Sequence, residues 1–457
     1  MWLEVFLLLL ALVVALYWYI TKNFGHYEKL GVPYVKPSFP FGSLNFFGGD
    51  HIDVMTADAH KQFENERFFG LFMFGKPMVA INDPDLLRLI QVKDFDHFVD
   101  RIGPDVVEKL FSGGDLDNIW KVQLTSLSGD EWKDVRHTFT PIFTSGKMKN
   151  MMKFIHHVSK DLVEELEMKA EKGEEFELKT VFGKFSLDAL ASAAFGVNAE
   201  SFKNEKSPFV KAAATIFRQG VKEQLINTFR LIPGVPKFLK FFKINLLQPQ
   251  ATKFFRDTVL QTIKMRRQSG ERKNDMIDLM LDALHDSHDD VENDEDGDQY
   301  ENDMKLNHKR NNNIDEITIV GTAVVLLVAG YDTTGMLLSY FSYEMTNNPD
   351  IQNKLRDEVD DAFENADGRL PDYSVIQSLP YLDMVIQETL RYHPPAGFNM
   401  RTANKDYHLP DSNIILKKGD GVMFNARFLH RRPEHWSHPD EFYPEHFSKE
   451  EKSKRNP

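Results

Sequence analysis

The chain has 457 residues, 42% apolar and 12% aromatic, with Phe (37) far ahead of Tyr (13) and Trp (5), so it can bury a large core and wholesale disorder is excluded. A formal charge of −14, from 55 Lys and Arg against 69 Asp and Glu, argues against a duplex-DNA binder, and the lack of cysteine excludes disulfides, zinc thiolates, cysteine nucleophiles and iron–sulfur ligation within these residues. The acidity is local: Asp286 to Asp303 holds ten Asp or Glu and no Lys or Arg, and the rest is near neutral.

In chain order, Val5 to Ile20 comes first, wholly apolar or aromatic and at ~1.5 Å per residue roughly as long as a bilayer's hydrocarbon core. A start at Glu4 and a bulky exit through Tyr17-Trp18-Tyr19-Ile20 favour a retained anchor over a cleaved signal. Lys22, Lys29 and Lys36 follow on what would be the cytoplasmic side. Residues 31–42 carry Pro33, Pro37 and Pro40, which fix φ and remove donors, so a stiff hinge is expected. The expected domains are an anchor over 1–22, a proline-rich hinge over 23–46 and one catalytic body over 47–457, with a disordered acidic insertion at about 285–313.

Helical patterns dominate the body, with short strand-like stretches such as Leu71–Ile81 and Ile414–Phe424, so the expected class is mainly α with a small β region. Trp132 and Arg136 stand four apart on a predicted helix, able to grip an anionic group together. In the acidic insertion, Glu292, Asp294, Asp296, Gly297, Asp298 and Asp303 approach a calcium-loop spacing. The first and twelfth positions carry the wrong acids and Gln299 stands where an apolar residue is needed, so a solvated acidic tract is the expectation.

Asp315 to Met345 reads as one long helix, with acids in its first turn and a nearly uninterrupted apolar run from Ile317 to Leu338. Its one charge is Asp332, within Ala329-Gly330-Tyr331-Asp332-Thr333-Thr334-Gly335. Gly330 permits close approach of something flat, Thr333 can compete for a backbone carbonyl, and an acid beside a hydroxyl in apolar surroundings suits proton delivery. A second membrane span with a polar defect is the competing reading. Glu388 and Arg391 share a face of the helix that Pro394-Pro395 stop. His430, His435, His438 and His446 are dense enough to suggest zinc, but Pro433, Pro439 and Pro444 break any helix that would align them.

Taken in this order and spacing, these motifs resemble those of a cytochrome P450, a haem-thiolate monooxygenase, of the microsomal membrane-anchored class. The likeness covers the chain from the anchor to the end. Ala329 to Thr334 is similar to the family's oxygen-activating helix, Glu388-Thr389-Leu390-Arg391 to its Glu-x-x-Arg helix, and His430 to Phe447 to the segment that follows. Phe143-Thr144-Ser145-Gly146-Lys147-Met148-Lys149 and the proline hinge most resemble the clan of vertebrate drug-metabolising and insect detoxifying members.

The resemblance implies haem b held at its propionates by Trp132, Arg136 and Arg401 together with Arg101, and lying against Ala329 and Gly330. It implies proton relay by Asp332 and Thr333, and a buried structural network of Glu388 and Arg391 with position 446. There the family most often has Arg and this chain has His446, whose charge depends on pH. Substrate would be lined by parts of Ile102–Leu124, by Ala329, Gly330 and Thr334, and by Ala396, Gly397, Phe398 and Asn399, while Phe229–Phe242 would sit at the membrane surface. The implied reaction inserts one oxygen atom from O2 into a lipophilic small molecule. Electrons would come from NADPH through NADPH-cytochrome P450 reductase, with cytochrome b5 as a further partner, at the endoplasmic reticulum membrane and without nucleic acid.

The implied iron ligand is a Cys in a loop after the Pro-Glu-x-Phe segment, and the sequence stops at Pro457. The expectation is a C-terminally truncated record of a complete enzyme, inactive as written because thiolate ligation is missing. A naturally truncated, haem-free membrane protein that binds lipophiles or partners is the alternative. A two-span protein with an acidic calcium-sensing loop is the third.

Overall fold

The structure, a computed structural model, describes residues 2–44, 52–73, 75–204, 206–218, 226, 229–232, 234–273, 275–285 and 314–455. The calcium-like spacing and most of the acidic insertion lie outside these residues. Among them helices dominate, with one four-stranded and one two-stranded sheet, a mainly α architecture with a small β part. The chain divides into two compact units, each discontinuous: residues 1–106 with 396–441, and 107–395 with 442–457.

The first unit is built on the four-stranded sheet. The strand-like run Leu71–Ile81 is part of a hairpin, β1 (Phe68–Met73) and β2 (Lys76–Ile81), reversing at Gly75. Gly75 has φ +81°, and a Cβ there would sit 2.3 Å from the Ile20 carbonyl, so glycine is required twice over. β3 is Phe398–Thr402, and β4 (Tyr407–His408) pairs with β5 (Ile415–Leu416) in the small sheet. β6 (Gly421–Asn425) runs parallel to β2 and antiparallel to β3, giving the order β1-β2-β6-β3. Phe69, Leu71, Val79, Ala80 and Met423 are buried on this sheet.

Residues within and just after the proline-rich stretch keep their amides, and two of these pair with the edge strand β1. The Val35 amide donates to the Gly70 carbonyl at 2.9 Å and the Ser43 amide to that of Phe72 at 2.8 Å. Tyr27, just before it, is buried and donates its hydroxyl to the Met78 carbonyl at 2.5 Å. The helix Trp2–Thr21 exposes Trp2, Phe6, Leu8, Val13 and Trp18 and is a candidate membrane anchor. Lys22 closes it with its ammonium 4.9 Å from the Tyr19 ring centre.

The second unit is built around the helix Glu316–Asn347. Asp315 caps it, its carboxylate accepting the Thr318 amide at 2.9 Å. Small residues let its neighbours approach closely. Gly335 meets Gly183 of the helix Leu178–Phe195, Ser186 donates to the Tyr331 carbonyl at 2.9 Å, and a Cβ on Gly321 would lie 2.4 Å from the Ile119 carbonyl. Val320, Ala323, Val324, Leu327 and Val328 pack with Leu187, Ala191, Ala194 and Phe195 in one buried cluster. This helix is long and apolar enough to cross a membrane, but 50% of its apolar window is buried inside the unit, against 6% for the N-terminal helix.

Candidate functional site

Glu388 and Arg391 lie one turn apart near the end of the helix Pro380–Tyr392, whose first turn is held by the Glu358 carboxylate accepting the Tyr381 and Leu382 amides at 2.8 Å each. Both are buried, at 0% and 2% exposure. Arg391 grips Glu388 with two bonds of 2.8 Å, Nε to Oε2 and Nη2 to Oε1. The carboxylate also accepts the Tyr443 amide at 2.7 Å and faces His446 Nδ1 at 3.2 Å. A neutral imidazole protonated at Nδ1 satisfies that contact, so a cationic histidine is not required for it.

Sequence reasoning missed Arg455. It donates to the His446 carbonyl and lies 5.2 Å from the Phe447 ring centre. Burial lowers its pKa, while the nearby Glu388 carboxylate pulls the other way. No motif announced this residue, because a basic side chain near a polar tail reads as solvated surface.

In the central helix, Ala329 and Thr333 are exposed one turn apart, beyond the buried run that ends at Val328. The Thr333 hydroxyl turns back to the Ala329 carbonyl at 2.8 Å. Asp332 forms a half-exposed ion pair with Lys179 at 3.2 Å. Thr334 is half-buried. Burial raises the Tyr331 hydroxyl pKa, with Asp332 adding to it. Gly330 does make a close approach, but to a protein neighbour: a Cβ there would sit 2.8 Å from Leu190 Cδ1.

Trp132 and Arg136 occupy one side of the helix Gly129–Phe139 and are half-buried, while Val135 and Phe139 fill the core. In the first unit, the bridge Asp100↔Thr402 brings Arg101 and Arg401 to adjoining backbone positions. Arg101 Nη1 donates to Asn399 Oδ1 at 3.3 Å, and Arg401 Nη1 to the Met400 carbonyl at 3.3 Å. Ala396 is exposed, Phe398 and Asn399 belong to β3, and a Cβ on Gly397 would meet Asp53 at 2.7 Å. Of the four dense histidines, His446 is in the Glu388 network and His430 lies edge-on to Trp436. No cluster of three metal-ligating side chains occurs among the described residues.

A large flat apolar cofactor with acidic edges asks for a smooth helix face and for guanidinium or indole donors. The open Ala329–Thr333 face meets the first requirement, its one hydroxyl being folded back on the backbone. Trp132, Arg136, Arg101 and Arg401 are of the right type for the second.

Residues 32–457 match the family model for Cytochrome P450. The chain is 32% identical over 460 residues to cytochrome P450 3A14 of Cavia porcellus, covering 100% of this chain and 84% of that protein. It is also 32% identical over 480 residues to cytochrome P450 9e2 of Blattella germanica, covering 100% and 86%. For cytochrome P450 3A6 of Oryctolagus cuniculus the identity is 32% over 462 residues, covering 100% and 84%.

Proposed function

This chain belongs to the cytochrome P450 family, and from that premise we propose that it is a membrane-anchored monooxygenase of lipophilic small molecules. Membership implies a haem cofactor and haem-dependent oxidation. The observation that carries the finer reading is the exposed pair Ala329 and Thr333, one turn apart in the middle of the central helix, with Asp332 next to Thr333 in the chain and its carboxylate held at the surface by Lys179.

When bound, haem supplies the oxygen chemistry. In this reading Trp132, Arg136, Arg101 and Arg401 hold its propionates by charge-assisted bonds, an assignment that rests on family likeness and residue type. Ala329 gives it an exposed helix face, Gly330 being taken up by the contact with Leu190, and Thr334, Ala396, Gly397, Phe398 and Asn399 shape the room for substrate. Asp332 takes protons from solvent, which its half-exposed pair with Lys179 allows, and passes them to Thr333. Thr333 has to release the Ala329 carbonyl to hand a proton on. Glu388, Arg391 and His446 tie the helix Pro380–Tyr392 to residues 443–446 and give the cofactor a rigid surround.

Electrons come from NADPH through NADPH-cytochrome P450 reductase, with cytochrome b5 as a second donor. The helix Trp2–Thr21 holds the protein in the endoplasmic reticulum membrane, with the body in the cytosol. The test is a reduced carbon monoxide difference spectrum of the protein expressed from its complete transcript, followed by NADPH-dependent oxidation of lipophiles with reductase. A thiolate-type spectrum with product formation supports the reading; failure to take up haem overturns it.

A further inference from the structure

The turn at residues 443–447 is held by three segments of the second unit. Glu388, on the helix Pro380–Tyr392, accepts the Tyr443 amide at 2.7 Å and faces His446 Nδ1 at 3.2 Å. Lys354, on the helix Pro349–Glu364, donates to Glu445 at 2.8 Å while its ammonium lies 4.0 Å from the Tyr381 ring centre. The third hold comes from residues just downstream. Ser448 caps the short helix Lys449–Ser453 by accepting the Glu451 amide at 3.2 Å, and the chain leaving that helix turns back so that Arg455 Nη2 donates to the His446 carbonyl. The Arg455 guanidinium lies 5.2 Å from the Phe447 ring centre, and the Lys452 ammonium 5.7 Å from the same ring.

Hydrogen bonds and charge are supplied to this turn by different residues. Glu388 is fully buried, and a buried carboxylate needs donors and compensating positive charge together. A neutral His446 protonated at Nδ1 gives a donor and no charge. Arg455 is bonded to the carbonyl of that same residue, so a permanent cation stands directly behind the imidazole. Burial disfavours the Arg455 charge, whereas Glu451 and Glu388 favour it, and Arg391 opposes it more weakly than Glu388 supports it. The net interaction of Arg455 with the buried Glu388–Arg391 pair is therefore attractive.

We propose that Arg455 is a positioning residue that gives the buried Glu388 network the second positive charge a neutral His446 does not supply, and so locks residues 443–447 to the helix Pro380–Tyr392. This rests on the oxidation reading above and adds a residue that keeps the cofactor's surround rigid. Arg455 acts through His446 and Glu388.

The test compares wild type, expressed from its complete transcript, with Arg455→Lys, Arg455→Gln and Arg455→Met, each also in a His446→Arg background. Two quantities are read: the rate of haem transfer to excess apomyoglobin and the melting temperature. Lys keeps the charge, Gln keeps a donor for the His446 carbonyl without charge, and Met keeps neither. Arg455→Gln and Arg455→Met should both lose haem about tenfold faster and melt lower, with Arg455→Lys close to wild type. In the His446→Arg background, where a cation meets Glu388 directly, the three substitutions should differ little. Gln as good as Lys would show a clasp on the carbonyl alone and overturn the proposal, as would Arg455→Met behaving like wild type. An equal penalty in both backgrounds also overturns it, because Arg455 would then act independently of Glu388. If His446→Arg does not fold, the order Lys, Gln, Met in the natural background decides. If wild type takes up no haem, the oxidation reading fails instead, and the same order of melting temperatures in the haem-free proteins judges the role of Arg455.

Discussion

Thr333 sits on the exposed face of the central helix with its hydroxyl occupied by the Ala329 carbonyl, so its proposed work depends on a bond it must exchange. Thr333→Ala should leave NADPH consumption running while product falls by at least about tenfold and hydrogen peroxide appears. Tight coupling in that variant would remove the relay assignment. Arg391→Ala takes both guanidinium bonds from a buried carboxylate, which should cost about 3–5 kcal/mol and empty the protein of haem. Normal haem content after purification would show the pair to be dispensable. His60 offers a pH test in the first unit. It is buried, with Nδ1 2.5 Å from Asn82 Oδ1, and burial lowers its pKa from 6.5 to about 4. The unfolded chain takes up this proton more readily, so the contribution of neutral His60 is full above pH 6.5 and is lost as pH falls toward 4, by about 3 kcal/mol at most. His60→Phe keeps a ring beside Phe69 but loses the Asn82 bond. Its urea midpoint should be lower at pH 7 yet flatter across that window; an equal slope in both proteins would refute the assignment. At this scale the sequence was informative where partners are near neighbours. Glu388 and Arg391 could be paired by spacing, whereas Arg455 depends on contacts no local pattern encodes.

Among the elements, the central helix was legible nearly to the residue, since its cap Asp315 and its apolar run are both local signals. The hairpin was not: Leu71–Ile81 reads as one strand-like stretch although Gly75-Lys76-Pro77 interrupts it, and the approach of Gly75 to the Ile20 carbonyl, far away in sequence, has no local signal. In the proline-rich stretch, prolines advertise missing donors, while the amides of Val35, between Pro33 and Pro37, and of Ser43, just after Pro40, go to β1, a pairing no local pattern announces. Close helix crossings are equally invisible until neighbours are known. Gly321→Val would drive a side chain into the Ile119 backbone, and a loss of about 1–3 kcal/mol is expected in thermal melts. Gly146→Ala, in the first turn of the helix Ser145–Lys172 with nothing within 4 Å, should instead be neutral or gain up to about 0.5 kcal/mol. Equal effects of the two would mean that the crossing is looser than its geometry indicates.

For the molecule as a whole, the two units interleave along the chain, which crosses between them near 106, 395 and 441. Neither can be excised as one continuous piece without losing partners such as Tyr443 and His446 of Glu388. The N-terminus divides similarly, since the exposed helix Trp2–Thr21 ends against the first unit and Tyr27 lies in its core. Removing residues 2–16 should free the protein from the membrane pellet and leave its melting temperature unchanged. Removing residues 2–30 should cost about 3–5 kcal/mol, because a buried aromatic leaves with it. Similar melting of both forms would show that Tyr27 contributes little.

The sheet order β1-β2-β6-β3 also makes the ribosome part of the folding problem. The hairpin is finished at Ile81, but β6, which covers its β2 edge, begins only at Gly421. At ~5–20 residues per second, synthesis of the intervening stretch takes roughly 20 s to a minute. Throughout that interval β2 presents bare amides and carbonyls beside buried-type side chains, a template for pairing with another nascent chain. The newborn protein is therefore most exposed to aggregation during translation, and chaperone supply should govern its yield more strongly than final stability does.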